Sequence, residues 1–235
     1  MEIKGKIIII TGAARIGQDV ARALKDKGAN LVIAYFKDPK EASLGFGVQA
    51  DVSKQEDIVR LIQEAKSKFG QIDALIHMAA IYEKSEWNAL NEKHWDKNMN
   101  VIAKSAYLLG KIAGDEMLDN DGELKGKIIF FSDWSVLTRP YKDYLAYNAA
   151  KSAVVGLTKS FAKELAPHVL VNAIAPGPML RPPDLTDEEN IEVLSGTLLK
   201  RWGGAEEITK GILYLLEADF VTGTVLTIDG GRTIA

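Results

Sequence analysis

Short apolar runs alternate along this chain with longer stretches in which apolar residues recur at helical spacing. The runs are apolar at nearly every position, which is typical of strands that are buried on both faces of a sheet. Seven runs are predicted as strands, at residues 6–11, 30–36, 46–52, 73–78, 127–132, 169–175 and 224–228. The stretches between them predict helices at residues 17–27, 53–69, 143–165, 186–199 and 205–216, and two more within residues 87–118. We therefore predict an α/β fold with a doubly wound, Rossmann-like parallel sheet.

A single domain is expected over residues 1–235, because neither a linker-like change of composition nor an internal repeat interrupts the pattern. Residues 37–47 leave about ten residues for a crossover that usually needs a dozen or more, so its helix should be vestigial or absent. Ser53 and Glu56 have the spacing of a capping box, which predicts that Ser53 caps the helix that follows.

The composition narrows the chemistry that this chain can perform. It contains no cysteine, which excludes a disulfide framework, a thiolate metal site and a cysteine nucleophile. Its three histidines, His77, His94 and His168, are scattered, so no metal site is expected. A net charge of −3 argues against nucleic acid as a partner. The chain shows neither a targeting signal nor an apolar stretch long enough to cross a membrane, so a cytoplasmic protein without membrane contact is expected.

A glycine-containing turn joins the first predicted strand to the first predicted helix. Gly12 follows the strand and Gly17 opens the helix, which suits a dinucleotide pyrophosphate because backbone N–H groups at a helix N-terminus bind anions. The same spacing also occurs in tight turns that bind no ligand. Arg15 lies in the loop and Lys37 follows the second strand, whose end carries no acid. This charge pattern favours NADP(H) over NAD(H).

Tyr147 and Lys151 lie four residues apart in a predicted helix, so their side chains share one face. An ammonium group favours the tyrosinate form and is expected to lower the pKa of Tyr147 from about 10 toward neutrality. Such a phenol exchanges a proton with a carbonyl or alcohol oxygen. The spacing alone is equally compatible with an amphipathic helix that carries an ordinary exposed lysine.

Several motifs occur in an order that carries a family resemblance. They are Thr11-Gly12 with Gly17, Asp51-Val52, Tyr147 with Lys151, Pro176-Gly177 and Asp229-Gly230-Gly231. Together they resemble the short-chain dehydrogenase/reductase family over essentially the whole chain. The resemblance implies a nicotinamide-dependent oxidoreductase that acts on a small molecule and assembles as a homotetramer or homodimer.

The resemblance also implies roles for individual residues. Tyr147 becomes the general acid or base, Lys151 holds the nicotinamide ribose and lowers the pKa of the tyrosine, and Asn100 supports a proton-relay water. Asp51 and Val52 are expected to contact the adenine, and the Pro-Gly turn to lie beside the nicotinamide. The other expected cofactor contacts are Gly12, Arg15, Ile16, Gly17, Lys37, Ala79, Ala80, Pro176 and Gly177.

Three departures from the family pattern are visible. The glycine loop lacks one residue and its middle glycine, and the usual Asn-Ala-Gly motif reads Met-Ala-Ala at residues 78–80. Asp133 stands where the family has a catalytic serine, with one extra residue before the tyrosine. Asp133 is therefore the expected third catalytic residue, and Ser132 and Ser135 are the alternatives that offer a hydroxyl.

An arginine in the glycine loop together with an aspartate in place of the serine resembles the pteridine reductase branch, including bacterial dihydromonapterin and dihydrofolate reductases. A flat pterin stacks well on aromatic rings, and Trp87 is one of four aromatic residues expected near the cleft. The expected substrate contacts are Tyr82, Trp134, Tyr141 and Met179. Residues 177–204 are expected to form a substrate lid or a fixed surface excursion.

The leading interpretation is an NADPH-dependent reductase that transfers hydride to a pterin-like C=N bond or to a carbonyl group. One alternative is a 3-oxoacyl-carrier-protein reductase or another carbonyl reductase. A second alternative is a non-catalytic dinucleotide sensor on the same fold. Tyr147, Lys151 and Asn100 argue against the sensor, which has no need of them.

Overall fold

A seven-stranded parallel sheet organises the chain, in a computed structural model that describes residues 1–183 and 185–235. The strands are β1 (Ile7–Thr11), β2 (Asn30–Tyr35), β3 (Phe46–Gln49), β4 (Ala74–His77), β5 (Gly126–Phe131), β6 (Val169–Pro176) and β7 (Val225–Ile228). Their order across the sheet is β3-β2-β1-β4-β5-β6-β7, with every neighbouring pair parallel. This order confirms the predicted doubly wound α/β fold.

Helices cover both faces of this sheet. They are α1 (Ile16–Asp26), α2 (Gln55–Phe69), α3 (Glu92–Asn98), α4 (Ser105–Leu118), α5 (Leu145–Leu165), α6 (Asp187–Ser195) and α7 (Ala205–Glu217). Leu61, Leu109 and Val154 of α2, α4 and α5 join the core on one face of the sheet. Leu24 and Ile212 of α1 and α7 join the core on the opposite face. The strands lie between two apolar layers, which explains why their sequences are apolar throughout.

The prediction of two helices within residues 87–118, the second of them long, is confirmed by α3 and α4, but its N-terminal boundary is wrong. The first helix begins only at Glu92, because the Asn91 side chain accepts hydrogen bonds from the Lys93 and His94 N–H groups. It then passes without a break through the π-helical segment Met99–Lys104 into α4. The chain is therefore helical throughout residues 92–118.

The capping box predicted at Ser53 and Glu56 is also wrong. Lys54 occupies the N-cap of α2 without a capping side chain, and the Ser53 hydroxyl donates instead to the Asp51 carboxylate at 2.7 Å. A capping box does occur on α6, where Thr186 and Glu189 bond reciprocally. That helix ends at residue 195, earlier than predicted, and a glycine follows it.

The crossover between β2 and β3 contains only the short 3₁₀ turn Pro39–Ala42, as expected from its length. Asp38 caps this turn by accepting a hydrogen bond from the Lys40 N–H at 2.9 Å. Gln18 anchors the turn to α1, because its side-chain amide donates to the Glu41 carbonyl oxygen at 2.7 Å. Glu41 is thereby held beside the end of β2.

The carboxyl ends of the strands form the edge at which the functional residues gather. β1 pairs with β2 on one side and with β4 on the other, and open α/β sheets bind ligands at such a reversal of strand order. Thr11, His77, Phe131 and Pro176 end β1, β4, β5 and β6 at this edge. In the described part of the chain, no helix combines the length and apolar character needed to span a bilayer. No group of three or more acidic or histidine side chains among the described residues is placed to hold a metal ion.

Candidate active site

The glycine loop between β1 and α1 packs tightly against the end of β4. Gly12 has a φ of 74°, and a Cβ atom there would lie 2.5 Å from the Ala79 nitrogen. A Cβ atom on Gly17 would lie 2.3 Å from the Gly12 carbonyl oxygen. Arg15 also has a positive φ, of 50°, and occupies the N-cap of α1. Only glycine therefore fits at positions 12 and 17, because a Cβ atom at either position would clash with the backbone. The absence of side chains there leaves the N-terminus of α1 open toward the cavities beside it.

Two cavities flank this loop. One of about 540 Å³ lies beside the ends of β2 and β3, and Asp51, Val52, Ala79 and Ala80 are among its lining residues. The other, of about 320 Å³, is lined by Arg15, Ile16, Gly17, Pro176 and Gly177, among others. Gly12 lines both. A glycine cradle and a helix N-terminus between two cavities fit a dinucleotide, with its pyrophosphate at the loop.

Lys37 is one of three predicted cofactor residues that line neither of these cavities, and the other two are Tyr147 and Lys151. Lys37 is exposed, and its Nζ lies 5.3 Å from the centroid of the adjoining Phe36 ring. Glu41, which the sequence reading did not single out, lines the larger cavity together with Phe36. At the end of β2, the charged residue on the cavity wall is therefore Glu41, which the 3₁₀ turn carries, and not Lys37.

Tyr147 and Lys151 share the inner face of α5, and both are buried. The Tyr147 hydroxyl donates to the Asp133 carboxylate at 2.7 Å. The Lys151 Nζ donates to the Phe131 carbonyl oxygen at 2.7 Å and lies 5.9 Å from the centroid of the tyrosine ring. The structure thus brings three of the four predicted catalytic residues together at the ends of β5 and α5.

The protonation of this group differs from the prediction. Burial, followed by the negative charge of Asp133, raises the pKa of Tyr147 well above 10. Burial lowers the pKa of Lys151 to about 8, although Asp133 opposes that shift. The prediction that Lys151 lowers the pKa of Tyr147 is wrong for this arrangement, because burial and a carboxylate act on the phenol more strongly. The Tyr147 hydroxyl therefore keeps its proton in this arrangement.

The two serines considered beside Asp133 do not offer a hydroxyl to Tyr147. Ser132 donates to the Lys151 carbonyl oxygen at 3.1 Å, which ties α5 to β5. The Ser135 hydroxyl is buried and has no hydrogen-bond partner among the described residues. Asn100 lies half-buried on the π-helical segment Met99–Lys104. Asp133 is the group that faces the tyrosine hydroxyl.

A third cavity, of about 760 Å³, adjoins Asp133 and Tyr147. Tyr82, Tyr141 and Met179, three of the predicted substrate contacts, line it. Its remaining lining residues are Arg15, Tyr144, Gly177, Pro178, Leu180, Pro182, Pro183, Leu185, Glu189, Val193, Trp202 and Arg232. We name this cavity the tyrosine cleft, because Tyr82, Tyr141, Tyr144 and Tyr147 pack against one another along it.

Two of the expected aromatic contacts lie elsewhere. Trp134 is buried behind the wall of the cleft, where its indole N–H donates to the Tyr141 hydroxyl at 2.7 Å. Trp87 is largely exposed and lines a separate apolar cavity of about 550 Å³. The expectation that these tryptophans face the substrate is therefore not met. Tyr144 supplies a ring instead, stacked on Tyr82 at 4.5 Å between centroids.

Sequence reasoning missed several residues of the site. Tyr144 lies one helical turn before Tyr147, a spacing that could have indicated a shared face. Arg232 follows the Asp-Gly-Gly motif directly, but a lone arginine carried no signal.

His77 is buried, with its ring nitrogens 2.6 Å from the Thr11 hydroxyl and 2.8 Å from the Ser105 hydroxyl. Burial, followed by the positive charge of Lys151, lowers the pKa of His77 to about 3, so the ring is neutral.

Comparisons with known proteins agree with this architecture. Residues 12–233 match the family model described as enoyl-(acyl carrier protein) reductase. An NAD-dependent glycerol dehydrogenase from Listeria innocua is 34% identical over 99% of this chain and 95% of its own length. A dihydromonapterin reductase from an Enterobacter species is 32% identical over 97% of this chain and 96% of its own length.

The structural comparison points the same way. A short-chain dehydrogenase/reductase from Serratia marcescens superposes with a TM-score of 0.90 and 27% sequence identity, covering 99% of this chain and 100% of the other. The chain belongs to the short-chain dehydrogenase/reductase family of nicotinamide-dependent oxidoreductases.

Proposed function

We propose that this protein is an NADPH-dependent reductase that acts on a pterin-like C=N bond or on a carbonyl group. The observation that carries the proposal is the hydrogen bond from the Tyr147 hydroxyl to the Asp133 carboxylate, beside a cleft walled by tyrosine rings. A flat heteroaromatic ring stacks on tyrosine faces, and an aspartate accepts hydrogen bonds from its ring and amino N–H groups. The similarity to a dihydromonapterin reductase supports the same substrate class.

The side chains of this site have separable tasks. The bound nicotinamide would supply the hydride. Tyr147, kept protonated by its surroundings, donates a proton to the atom on which negative charge develops. Asp133 accepts a hydrogen bond from that hydroxyl and orients it, and Lys151, which donates to the Phe131 carbonyl oxygen, is the residue proposed to hold the ribose. Gly12 and Gly17 leave the backbone room that the pyrophosphate needs.

Replacement of Tyr147 by phenylalanine tests the proposal. Tyr147→Phe should lower kcat by about a hundredfold or more with dihydrobiopterin or dihydrofolate, because it removes only the acidic hydroxyl. NADPH binding, measured by fluorescence, should not change. Tyr214→Phe, which alters an exposed tyrosine on α7, is the control. Full turnover by Tyr147→Phe, followed by loss of NADPH absorbance, would rule out the proposed role.

A carbonyl reductase, including a 3-oxoacyl-carrier-protein reductase, is the second candidate. The matching family model carries an acyl-carrier-protein description, which favours it. A panel of dihydrobiopterin, dihydrofolate and a β-ketoacyl thioester, each with NADPH and with NADH, separates the two candidates. Binding of either nucleotide without turnover of any substrate would point to the non-catalytic sensor.

The preference for NADP(H) over NAD(H) is a further part of the proposal. Arg15 supports it as the positively charged residue of the glycine loop, at the N-cap of α1, although it lines the smaller cavity and not the larger one. Glu41 acts against it, since a carboxylate on the wall of the larger cavity repels a 2′-phosphate placed there. We propose that the positive group prevails, so that Glu41 reduces the preference without reversing it.

Glu41→Gln should therefore strengthen NADPH binding and leave NADH binding unchanged. Removing one nearby like charge is worth about 1 kcal/mol, or roughly fivefold in Kd. Titration of the intrinsic nucleotide fluorescence measures both constants, and NADH provides the internal control. An equal gain for both nucleotides would show that Glu41 does not face the phosphate.

Residues 177–204 are proposed as the substrate lid. Their residues Gly177, Met179 and Val193 line the tyrosine cleft, while α6 buries none of its side chains. A helix with so little buried surface as α6 opens at low free-energy cost. We also propose that the protein forms a homotetramer or homodimer, which light scattering measures directly.

A further inference from the structure

The lid helix α6 is attached to the rest of the protein mainly by polar contacts. None of its side chains is buried, so apolar packing contributes little to its position. The Trp202 indole N–H donates to the Asn190 side chain at 2.9 Å, within the same segment. Arg232, on the C-terminal 3₁₀ turn Arg232–Ile234, reaches the helix from outside the segment. Its Nη1 donates to the Val193 carbonyl oxygen and, at 3.4 Å, to the Thr197 hydroxyl.

The same guanidinium also contacts Trp134, behind the wall of the tyrosine cleft. Its central carbon lies 4.9 Å from the centroid of the Trp134 ring, which is the geometry of a cation–π contact. Trp134 is 4% exposed, so Arg232 covers an indole that is otherwise enclosed by protein. The planar guanidinium can lie on an aromatic face while its edge donates hydrogen bonds, which an ammonium group cannot do equally well. Arg232 therefore bridges the lid helix and the indole.

Trp134 in turn is joined to the proposed catalytic pair. It begins the 3₁₀ turn Trp134–Leu137, whose N-cap is Asp133. One carboxylate oxygen of Asp133 caps this turn by accepting from the Ser135 N–H at 2.8 Å, and the other accepts from the Tyr147 hydroxyl. The indole N–H holds Tyr141 in the wall of the cleft. Any shift of the Trp134 turn moves Asp133 and Tyr141 together.

We propose that Arg232 is a positioning residue that couples closure of the α6 lid to the alignment of Asp133 with Tyr147. With the lid in place, the guanidinium is held between the Val193 carbonyl oxygen and the Trp134 ring, and the turn that carries Asp133 is fixed. With the lid displaced, Arg232 loses its hydrogen bonds to α6, and the indole loses its cover. The inference rests on the proposed function of Tyr147 and Asp133. It adds Arg232 as the residue that makes their alignment depend on the position of the lid.

Three variants of the full-length protein test the coupling. Arg232→Met removes the charge and the planar group, and Arg232→Lys keeps only the charge. Arg139→Met is the matched control, because Arg139 donates to the main-chain oxygen of Ala235, just after the same C-terminal turn, and has no hydrogen bond or ion pair to the described residues of the lid. The measurements are kcat and KM with NADPH, the thermal unfolding midpoint, and the rate of tryptic cleavage after Lys200 and Arg201, both exposed beyond α6.

Arg232→Met should lower kcat by about tenfold to a hundredfold, because a displacement of the reacting groups by an ångström has effects of that size. KM for NADPH should not change, and tryptic cleavage of the lid should accelerate. Arg232→Lys should recover part of the lost kcat and part of the lost resistance to trypsin. Arg139→Met should match the wild-type protein in both measurements. Wild-type kcat in Arg232→Met, or a loss of kcat no larger than the loss of folded protein, would overturn the inference.

Trp134→Phe is a fourth variant, which separates the contact of Arg232 with the lid from the contact of Trp134 with Tyr141. It removes the N–H that holds Tyr141 but leaves the bonds from Arg232 to Val193 and Thr197 in place. It should therefore lower kcat while the lid is cleaved at the wild-type rate, and accelerated cleavage would contradict the inference. If the wild-type protein reduces none of the panel substrates, the proposed function fails by itself. The cleavage rates of Arg232→Met and Arg139→Met then still decide whether Arg232 holds the lid.

Discussion

The Asp133 side chain serves two partners, and this division explains how an aspartate replaces a hydroxyl residue in the site. One oxygen caps the turn that follows β5, and the other accepts a hydrogen bond from the Tyr147 hydroxyl. A serine hydroxyl could donate to a substrate oxygen, whereas the carboxylate can only accept hydrogen bonds while it is ionised. Under the proposed function, this carboxylate therefore accepts hydrogen bonds from substrate N–H groups beside the bond to be reduced.

Asp133→Asn should weaken this arrangement without disturbing the turn. The amide oxygen still caps the Ser135 N–H, but the negative charge beside the phenol is lost. Since that charge raises the pKa of Tyr147, the variant should ionise its tyrosine at lower pH than the wild type does. Ultraviolet absorbance titration measures the change, with Tyr147→Phe to identify the signal. Turnover of dihydrobiopterin should fall in parallel, and an unchanged tyrosine titration would contradict the pairing.

At the scale of elements, the glycine loop shows how a shortened motif can keep its geometry. One residue is missing relative to the family pattern, yet the loop still reaches the end of β4 because Gly12 takes a positive φ and packs on the Ala79 nitrogen. Arg15, three residues later in the same loop, also has a positive φ. The middle glycine of the family is therefore dispensable here, while Gly12 is not.

Gly12→Ala should separate steric exclusion from backbone strain. The added methyl group cannot fit beside Ala79, so NADPH binding should be lost and the unfolding free energy should fall by about 1–3 kcal/mol. Gly122→Ala is the control, because Gly122 also has a positive φ, of 92°, but no neighbouring atom within 4 Å of its Cβ position. Gly122→Ala should therefore lower the free energy of unfolding without weakening NADPH binding. Intact NADPH binding by Gly12→Ala would show that the loop tolerates a shift.

The junction between α3 and α4 is the feature of this region that the sequence did not indicate. The periodicity predicted two helices, and the structure joins them without a loop through the π-helical segment Met99–Lys104. Just beyond it, the Ser105 hydroxyl donates to the Val101 carbonyl oxygen and contacts His77. The contact with His77 comes from β4, which is distant in sequence, so no local pattern could have indicated it.

At the scale of the whole molecule, His77 connects three elements in the centre of the fold. Its ring lies between Thr11 at the end of β1 and Ser105 at the start of α4, and it is fully enclosed. A neutral ring satisfies both neighbours, whereas an imidazolium there would be buried without an anionic partner among the described residues. The stability of the protein should therefore depend on pH through this one group.

Acidification should destabilise the wild-type protein relative to His77→Asn. The unfolded chain binds a proton below about pH 6.5, whereas the folded ring does so only near pH 3, so folding loses free energy as the pH falls between those values. The difference should amount to about 2 kcal/mol between pH 7 and pH 5. Denaturant unfolding of both proteins at each pH measures it. A parallel pH dependence in the two proteins would show that His77 is accessible to protons when folded.

The sequence by itself determined the fold class, the strand positions and the pairing of Tyr147 with Lys151. These features depend on local periodicity, since buried parallel strands are apolar throughout and residues four apart share a helix face. Only the tertiary structure decided which groups meet from separate elements. It placed Asp133 on the tyrosine, Glu41 in the larger cofactor cavity and Arg232 between the lid and Trp134, because side-chain direction and burial at the sheet edge depend on packing that no single segment encodes.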